Sequence, residues 1–117
     1  MKTILLVDDE YSIIELLAQL FEEEGYAVLI AANGQEGLDR AAETVPDLVI
    51  TDQMMPLMNG AELFRALKKD PKLRRVPVIL VTSTPLAASR DLAWAEFVPK
   101  PFNFDELLSV VRRVLGA

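Results

Sequence analysis

Short apolar runs alternate with amphipathic stretches along the whole of this chain. Most of the runs are apolar throughout, which is typical of parallel strands that are buried on both faces. The predicted strands are Ile4 to Val7, Ala27 to Ala31, Leu48 to Ile50, Val78 to Val81 and Phe97 to Val98. Strands that alternate with roughly five helices imply right-handed crossovers between parallel strands. We therefore predict an α/β fold, a doubly wound sandwich of three layers around a five-stranded parallel sheet.

Polar side chains with capping patterns predict where the helices begin. Ser12, followed by Glu15 three residues later, has the spacing of a capping box, and Gly25 predicts the end of that first helix. The other predicted caps are Asn33 before a helix over Glu36 to Glu43, Asn59 before one over Ala61 to Lys68, and Asn103 before the last helix.

Composition limits the function classes. A chain of 117 residues with 51% hydrophobic content fits one domain, expected over residues 1–117, and we expect no second one. The net charge of −6 gives no general attraction to nucleic acid or to an anionic membrane. Cys and His are both absent, so a thiol nucleophile and the commonest metal ligand are excluded. No stretch resembles a signal peptide or a membrane span, so we expect a soluble, cytoplasmic protein.

Charged and hydroxyl side chains follow four of the predicted strands. Asp8 and Asp9 follow the first strand, Asp52 the third and Lys100 the fifth, while Thr82 ends the fourth. In an open parallel sheet, ligands bind at the carboxyl ends of the strands, so these side chains are expected to converge. Carboxylate oxygens suit Mg²⁺, and three carboxylates repel one another unless a cation compensates. The pattern predicts a site for a divalent cation and a phosphoryl group.

Each of these residues also has an ordinary structural explanation when it is taken alone. The Asp8-Asp9 pair could simply favour a helix N-terminus, and Thr82 could cap the segment that begins at Pro85. A lysine in a proline-rich loop is usually solvated, although the prolines on both sides of Lys100 restrict its backbone. Whether the Lys100–Pro101 bond is cis stays open. Only the occurrence of all these residues together, at the ends of four strands, favours a binding site.

Over almost its whole length, the chain closely resembles the receiver domain of two-component response regulators. The resemblance rests on Asp8-Asp9, on the run Asp52-Gln53-Met54-Met55-Pro56-Leu57-Met58-Asn59-Gly60, on Thr82 and on Lys100-Pro101-Phe102. It implies a flavodoxin-like sheet with strand order 2-1-3-4-5. It also implies a phosphorylation-dependent signalling switch of the single-domain type, not a metabolic enzyme. Mg²⁺-dependent self-phosphorylation and slow autodephosphorylation would be expected.

The resemblance also implies a role for each matched residue. Asp52 would accept a phosphoryl group from a phosphohistidine as an acyl phosphate. Asp9, Asp52 and the backbone carbonyl of Met54 would bind Mg²⁺ directly, and Asp8 would act through a bound water. Mg²⁺ and Lys100 would neutralise the charge on the transferring phosphoryl oxygens.

Two further positions are implied to form a conformational switch. The hydroxyl of Thr82 would move toward the modified Asp52, and the ring of Phe97 would turn inward. Ordinary core packing of Phe97 is the alternative. Met54 and Thr84 match positions that modulate the lifetime of the acyl phosphate in such domains.

Partners follow from the same resemblance. The donor would be a histidine kinase or a His-containing phosphotransfer protein, since this chain has no His of its own, and a downstream protein would be the target. Direct binding to nucleic acid or to a membrane is not expected, and we expect a monomer or a weak dimer.

One segment departs from the usual pattern. Residues 83–99 separate Thr82 from Lys100, about a helical turn fewer than receivers usually have, so the fourth helix is predicted to be short or irregular. Trp94 in this segment is expected to pack against the core. A basic cluster near the end of the third helix is interpreted as a solvated rim; its members are Lys68, Lys69, Lys72, Arg74 and Arg75.

Three other functions compete with the switch. An Asp-nucleophile phosphatase of the haloacid-dehalogenase type needs a second Asp two residues after the nucleophile, where this chain has Met54. A flavodoxin-like FMN protein needs a phosphate loop after the first strand, where Asp8, Asp9 and Glu10 would repel phosphate without a metal. The third is a binding module in which phosphorylation plays little part.

Overall fold

The computed structural model describes residues 1–83 and 92–116, and it contains five strands and, within those ranges, four helices. The strands are β1 (Thr3–Val7), β2 (Ala27–Ala31), β3 (Leu48–Thr51), β4 (Val78–Thr82) and β5 (Glu96–Pro99). The helices are α1 (Tyr11–Glu23), α2 (Gly34–Glu43), α3 (Gly60–Lys69) and α4 (Phe104–Leu115). All strand pairs are parallel and the order is β2-β1-β3-β4-β5, so the predicted fold class and strand order are confirmed.

Two apolar cores lie on opposite faces of the sheet, because successive residues of a strand point to opposite sides. In β1, Ile4 and Leu6 join the core under α1 and α4, while Leu5 and Val7 join the core under α2 and α3. All four side chains are almost completely buried. This double burial explains why the first strand is apolar at every position.

Three of the four predicted caps are confirmed. The Oδ1 atoms of Asn33, Asn59 and Asn103 accept hydrogen bonds from the backbone N–H three residues later, at 2.8 Å in each case. The predicted cap at Ser12 is wrong. Helix α1 begins at Tyr11 after the N-cap residue Glu10, so Ser12 is already within the helix.

Glycine ends the first helical segment as predicted. Gly25 adopts a φ of 95°, a conformation that other residues rarely adopt, directly after the C-cap Glu24. The chain then turns and enters the edge strand β2.

Several expectations concern the region between β4 and β5. The predicted short or irregular helix there, Thr84 and the segment from Pro85 fall largely or wholly within residues 84–91, outside the described residues. Trp94 lies beyond that gap, and its ring packs 4.6 Å from the ring of Phe64, which confirms the packing prediction. The side chain of Phe97 is 38% exposed, so the alternative prediction that Phe97 packs within the core is wrong.

The basic cluster after α3 is a solvated rim only in part. Lys69, Lys72, Arg74 and Arg75 are exposed as expected. Lys68 instead donates hydrogen bonds to the backbone carbonyls of Arg74 and Val76, both at 3.0 Å, and lies over the Phe64 ring. Burial lowers the pKa of this ammonium. Lys68 therefore fixes the loop between α3 and β4.

No helix among the described residues combines the length and the apolar character that crossing a bilayer requires.

The loop of residues 53–59, which joins β3 to α3, packs against the start of α2. The Gly34 N–H donates to the Met58 carbonyl at 3.1 Å, and a Cβ atom on Gly34 would lie only 2.3 Å from that oxygen. Within the loop, Leu57 has a φ of 68° and the Met58 N–H donates to the Pro56 carbonyl at 2.7 Å, the pattern of a γ-turn. The glycine at position 34 is thus required by close approach of two backbones.

We expect Gly34→Ala to lower the free energy of unfolding by about 1–3 kcal/mol, because the added methyl group must push the 53–59 loop away. Urea unfolding followed by circular dichroism measures this change. Gln35→Ala, at the next and exposed position of the same helical turn, is the control and should stay within about 0.5 kcal/mol of the native chain. Equal stability of the two variants would contradict the close approach.

Candidate functional site

Hydrogen bonds that continue beyond the strand ends bring the site residues together. The backbone N–H of Asp8 donates to Ala31 at the end of β2, and that of Asp52 donates to Val7 at the end of β1. The Lys100 N–H donates to Thr82 at the end of β4. Asp8, Asp52 and Lys100 thus each lie one position past a strand, in a register set by the sheet, and Thr82 is the last residue of β4. The predicted convergence at the carboxyl edge is confirmed.

Three carboxylates form one cluster at this edge. One oxygen from each of Asp8, Asp9 and Asp52 lies within 4.8 Å of the other two. Asp8 and Asp52 are buried, whereas Asp9 is exposed. Hard oxygen donors this close together, with one side open to solvent, fit a Mg²⁺ ion that keeps part of its water shell.

Lys100 is the cation that faces this cluster. Its Nζ lies 3.2 Å from Asp8 Oδ2 and 3.5 Å from Asp52 Oδ2, and 3.8 Å from Glu10 Oε1. Burial by itself lowers the pKa of the ammonium, but attraction to Asp8, Asp52 and Glu10 outweighs burial and leaves the pKa above its usual value. Lys100 therefore stays charged at neutral pH. The bond to Pro101 is cis.

The two carboxylate oxygens of Asp52 have different neighbours. Oδ1 accepts the backbone N–H of Gln53 at 2.8 Å, while Oδ2 faces Lys100. Burial raises the pKa of Asp52, and repulsion from Asp8 raises it further. Lys100, the Gln53 N–H and a hydrogen bond with the Thr82 hydroxyl act in the opposite direction without cancelling the rise. The ionised form of Asp52 is therefore less favourable here than it is in water.

The remaining predicted site residues lie around this centre. Thr82 is buried, and its hydrogen bond with Asp52 places the hydroxyl at the site. The Met54 side chain is 60% exposed in the loop that follows Asp52. Phe97 lies on β5 at the position paired with Leu80, two residues before Thr82.

Two residues with contacts at the site were missed by the sequence reasoning. Glu10 forms the third ion pair of Lys100, and its position directly after Asp8-Asp9 was a signal that could have suggested this role. The backbone N–H of Gln53 donates a hydrogen bond to Asp52, and its side chain accepts one from the first turn of α3. Nothing in the sequence pattern indicates that second contact.

Comparison with known proteins identifies the family. The model of the response regulator receiver domain matches residues 4–112. The chain belongs to this family. It is 40% identical over 116 residues to an uncharacterized transcriptional regulatory protein, YkoG, of Bacillus subtilis, covering 96% of this chain and 50% of that protein. The chain spans about half the length of several curated relatives that it matches.

Solved structures agree with this assignment. The signal receiver domain of a signal transduction histidine kinase from Syntrophus aciditrophicus superposes with a TM-score of 0.93 at 37% identity, covering 99% of this chain and 91% of that one. The receiver domain of the sensor histidine kinase PA1611 from Pseudomonas aeruginosa superposes with a TM-score of 0.85 at 27% identity. There the coverage is 99% of this chain and 98% of the other, and that structure has a magnesium ion coordinated in its active site cleft. Receiver membership leaves the FMN and dehalogenase-type alternatives without support.

The raised pKa of Asp52 predicts how its charge affects stability. The native state binds the proton more readily than the unfolded state, so this carboxyl favours folding at low pH and that contribution is lost as the pH rises through the raised pKa. We expect Asp52→Asn to raise the free energy of unfolding at pH 7, without divalent cations, by about 1 kcal/mol.

Urea unfolding at pH 7 with a chelator present measures the effect. Asp39→Asn, which removes an exposed carboxylate from α2, is the matched control and should change little. A loss of stability in Asp52→Asn, or an equal gain in both variants, would contradict the unfavourable charge assigned to Asp52.

Proposed function

We propose that this receiver domain is a phosphorylation-dependent signalling switch in which Asp52 accepts a phosphoryl group from a phosphohistidine of a histidine kinase or phosphotransfer protein. The observation that carries the proposal is the cluster of three carboxylates, in which Asp8, Asp9 and the ammonium of Lys100 surround the buried Asp52. The domain would act in the cytoplasm on a downstream protein partner.

The carboxylate cluster is the proposed binding site for Mg²⁺. Asp9, Asp52 and the backbone carbonyl of Met54 would hold the ion directly, and Asp8 would hold it through a water. A bound Mg²⁺ supplies positive charge that stabilises the oxygens of the transferring phosphoryl group. Support comes from the oxygen donor set and from the magnesium-containing relative.

The residues of this chain perform the remaining parts of the transfer. A carboxylate oxygen of Asp52 forms a bond to phosphorus while the bond from phosphorus to the histidine nitrogen breaks and its electron pair stays on that nitrogen. When the second ring nitrogen of the phosphohistidine carries a proton, the products are an acyl phosphate and a neutral imidazole. Lys100 is fixed by Asp8 and Glu10 beside Asp52, so its charge is in place for the phosphoryl oxygens without reorganisation. Slow attack by water on the acyl phosphate would reset the domain.

The proposed response uses Thr82 and Phe97. A phosphoryl group on Asp52 offers new acceptor oxygens to the Thr82 hydroxyl, which already bonds the carboxylate. Because Phe97 is partly exposed on the edge strand β5, core packing no longer explains this residue. Inward movement of its ring would change the surface that a downstream partner contacts.

Phosphorylation from a small donor tests the proposal. After incubation with Mg²⁺ and acetyl phosphate, intact-mass spectrometry should find a single phosphoryl adduct on the native chain and none on Asp52→Asn or in excess chelator. Asp39→Asn should be modified like the native chain. An adduct that persists in Asp52→Asn, or a native chain that stays unmodified, would contradict the function.

The phosphohistidine partner is proposed to dock on an apolar groove beside the site. The groove encloses about 530 Å³ between α1 and the segment after β5, and its rim includes Lys100. Apolar side chains dominate its lining, among them Ile13, Leu16 and Phe102. Ile13 and Leu16, three residues apart on α1, are 36% and 57% exposed, so the groove presents apolar surface from more than one side chain. A partner seated here would lie next to Asp52.

We expect Leu16→Glu to slow phosphoryl transfer from a protein donor about tenfold or more, because a charge in the apolar groove disrupts docking. The donor is a phosphorylated histidine phosphotransfer domain chosen because it phosphorylates the native chain. Modification by acetyl phosphate should stay within about twofold of native, since it needs no docking surface. Val45→Glu, at an exposed apolar residue outside the groove, is the control. Equal slowing with both donors would contradict the docking role.

A further inference from the structure

Gln53 contacts both the reactive carboxylate and the helix that follows it. Its backbone N–H donates to Asp52 Oδ1 at 2.8 Å, and its side-chain Oε1 accepts the backbone N–H of Ala61 at 2.9 Å. Its carbonyl accepts the N–H of Gly60 at 3.0 Å. One residue therefore joins Asp52 to the first turn of α3 through three hydrogen bonds.

The start of α3 shows how much depends on these bonds. The first four N–H groups of an α-helix have no partner within the helix. At α3, the capping box satisfies two of them, because Asn59 N–H donates to Glu62 and Glu62 N–H donates to Asn59. Gln53 satisfies the other two, at Gly60 and Ala61. Any movement of Gln53 away from α3 leaves two buried or half-buried donors without these acceptors.

The backbone around Gln53 has little room to adjust. A Cβ atom on Gly60 would lie 2.4 Å from the Asp52 carbonyl oxygen and 3.0 Å from the Gln53 Cα. The start of α3 thus lies directly against the 52–53 peptide. The N–H of that peptide is the donor to Oδ1, so the orientation of the peptide and that of the carboxylate are linked.

We propose that Gln53 is a positioning residue for Asp52: its side chain fastens the 52–53 peptide to α3, and the peptide N–H then holds Oδ1 so that Oδ2 faces Lys100. The effect on phosphoryl transfer rests on the proposed function above, whereas the orientation of the carboxylate does not. Gln53 does not touch the transferring group and acts only through Asp52.

Hydrogen exchange of the amide at position 53, followed by NMR in the full chain without metal, tests the positioning directly. Gln53→Leu should speed exchange of this amide about tenfold, because the peptide is no longer fastened and opens more often. Gln53→Glu keeps an acceptor oxygen at the same reach and should stay within about twofold of native exchange.

Asn59→Ala is the matched control. It removes an acceptor from the same helix terminus but has no contact with the 52–53 peptide, so exchange at Glu62 should speed up while exchange at position 53 stays within about twofold of native. Equal acceleration at position 53 in Gln53→Leu and Asn59→Ala would overturn the proposal, as would unchanged exchange in Gln53→Leu. Should Gln53→Leu not fold, Gln53→Asn, whose side chain is one methylene too short, takes its place in the same comparison.

A second readout connects positioning to chemistry. With acetyl phosphate and saturating Mg²⁺, Gln53→Leu should accept the phosphoryl group about tenfold more slowly, with recovery in Gln53→Glu and a near-native rate in Asn59→Ala. A native rate in Gln53→Leu would overturn the effect on transfer. If the native chain itself takes up no phosphoryl group, the proposed function fails, and the exchange comparison still decides whether Gln53 positions Asp52.

Discussion

The compensation of clustered carboxylates by Lys100 is the interaction on which this site depends. Parallel pairing places Asp8 and Asp52 in adjacent register positions, so the sheet itself forces two buried negative charges together. Lys100 comes from the far edge of the sheet and reaches both of them. Burial raises the pKa of Asp52 and repulsion from Asp8 adds to the rise, so the attraction of Lys100 compensates the charge of Asp52 only in part. The fold thus holds buried carboxylates together where a bound cation would relieve their unfavourable charge.

Rigid neighbouring structure is needed to hold the carboxylate of Asp52 in place, and the loop after β3 provides it. Residues 53–59 are fixed at one end by the contact between Gly60 and the Asp52 backbone, and at the other by the bond from Gly34 to Met58. Both contacts need glycine because two backbones approach more closely than any Cβ atom allows. A loop that contacts two helices would lose little further entropy in the proposed reaction at Asp52, and such rigidity is the condition for electrostatic preorganisation.

Local patterns predicted most of the fold, because the interactions that they describe are local. Alternating apolar runs set the strands, and the asparagine caps depend only on a backbone N–H three residues away. The cap predicted at Ser12 was wrong because the prediction used local spacing alone. The spacing from Ser12 to Glu15 is correct, but Asp8 Oδ1 accepts the N–H of Glu10 and the helix begins one residue before Ser12. Phe97 was ambiguous because β5 is an edge strand, where only one neighbour restricts the side chain.

The sequence indicated the acidic residues, Thr82 and Lys100 of the site, but it did not indicate the contacts that hold them in place. Strand-end placement follows from topology alone, so the acids, Thr82 and Lys100 could be assembled from the sequence. The role of Gln53 depends on where α3 starts in space, which is a tertiary property. Thermodynamic linkage then connects these contacts to the proposed chemistry: a ligand that binds only the folded state stabilises it by RT ln(1 + c/Kd), where c is the free ligand concentration. The hydrogen bonds of Gln53 satisfy N–H groups at the start of α3 and also hold the 52–53 peptide beside the carboxylate of Asp52. The same contacts therefore stabilise the fold and keep an unfavourable charge in place, and a cation bound at the cluster would add to the stability of the folded domain.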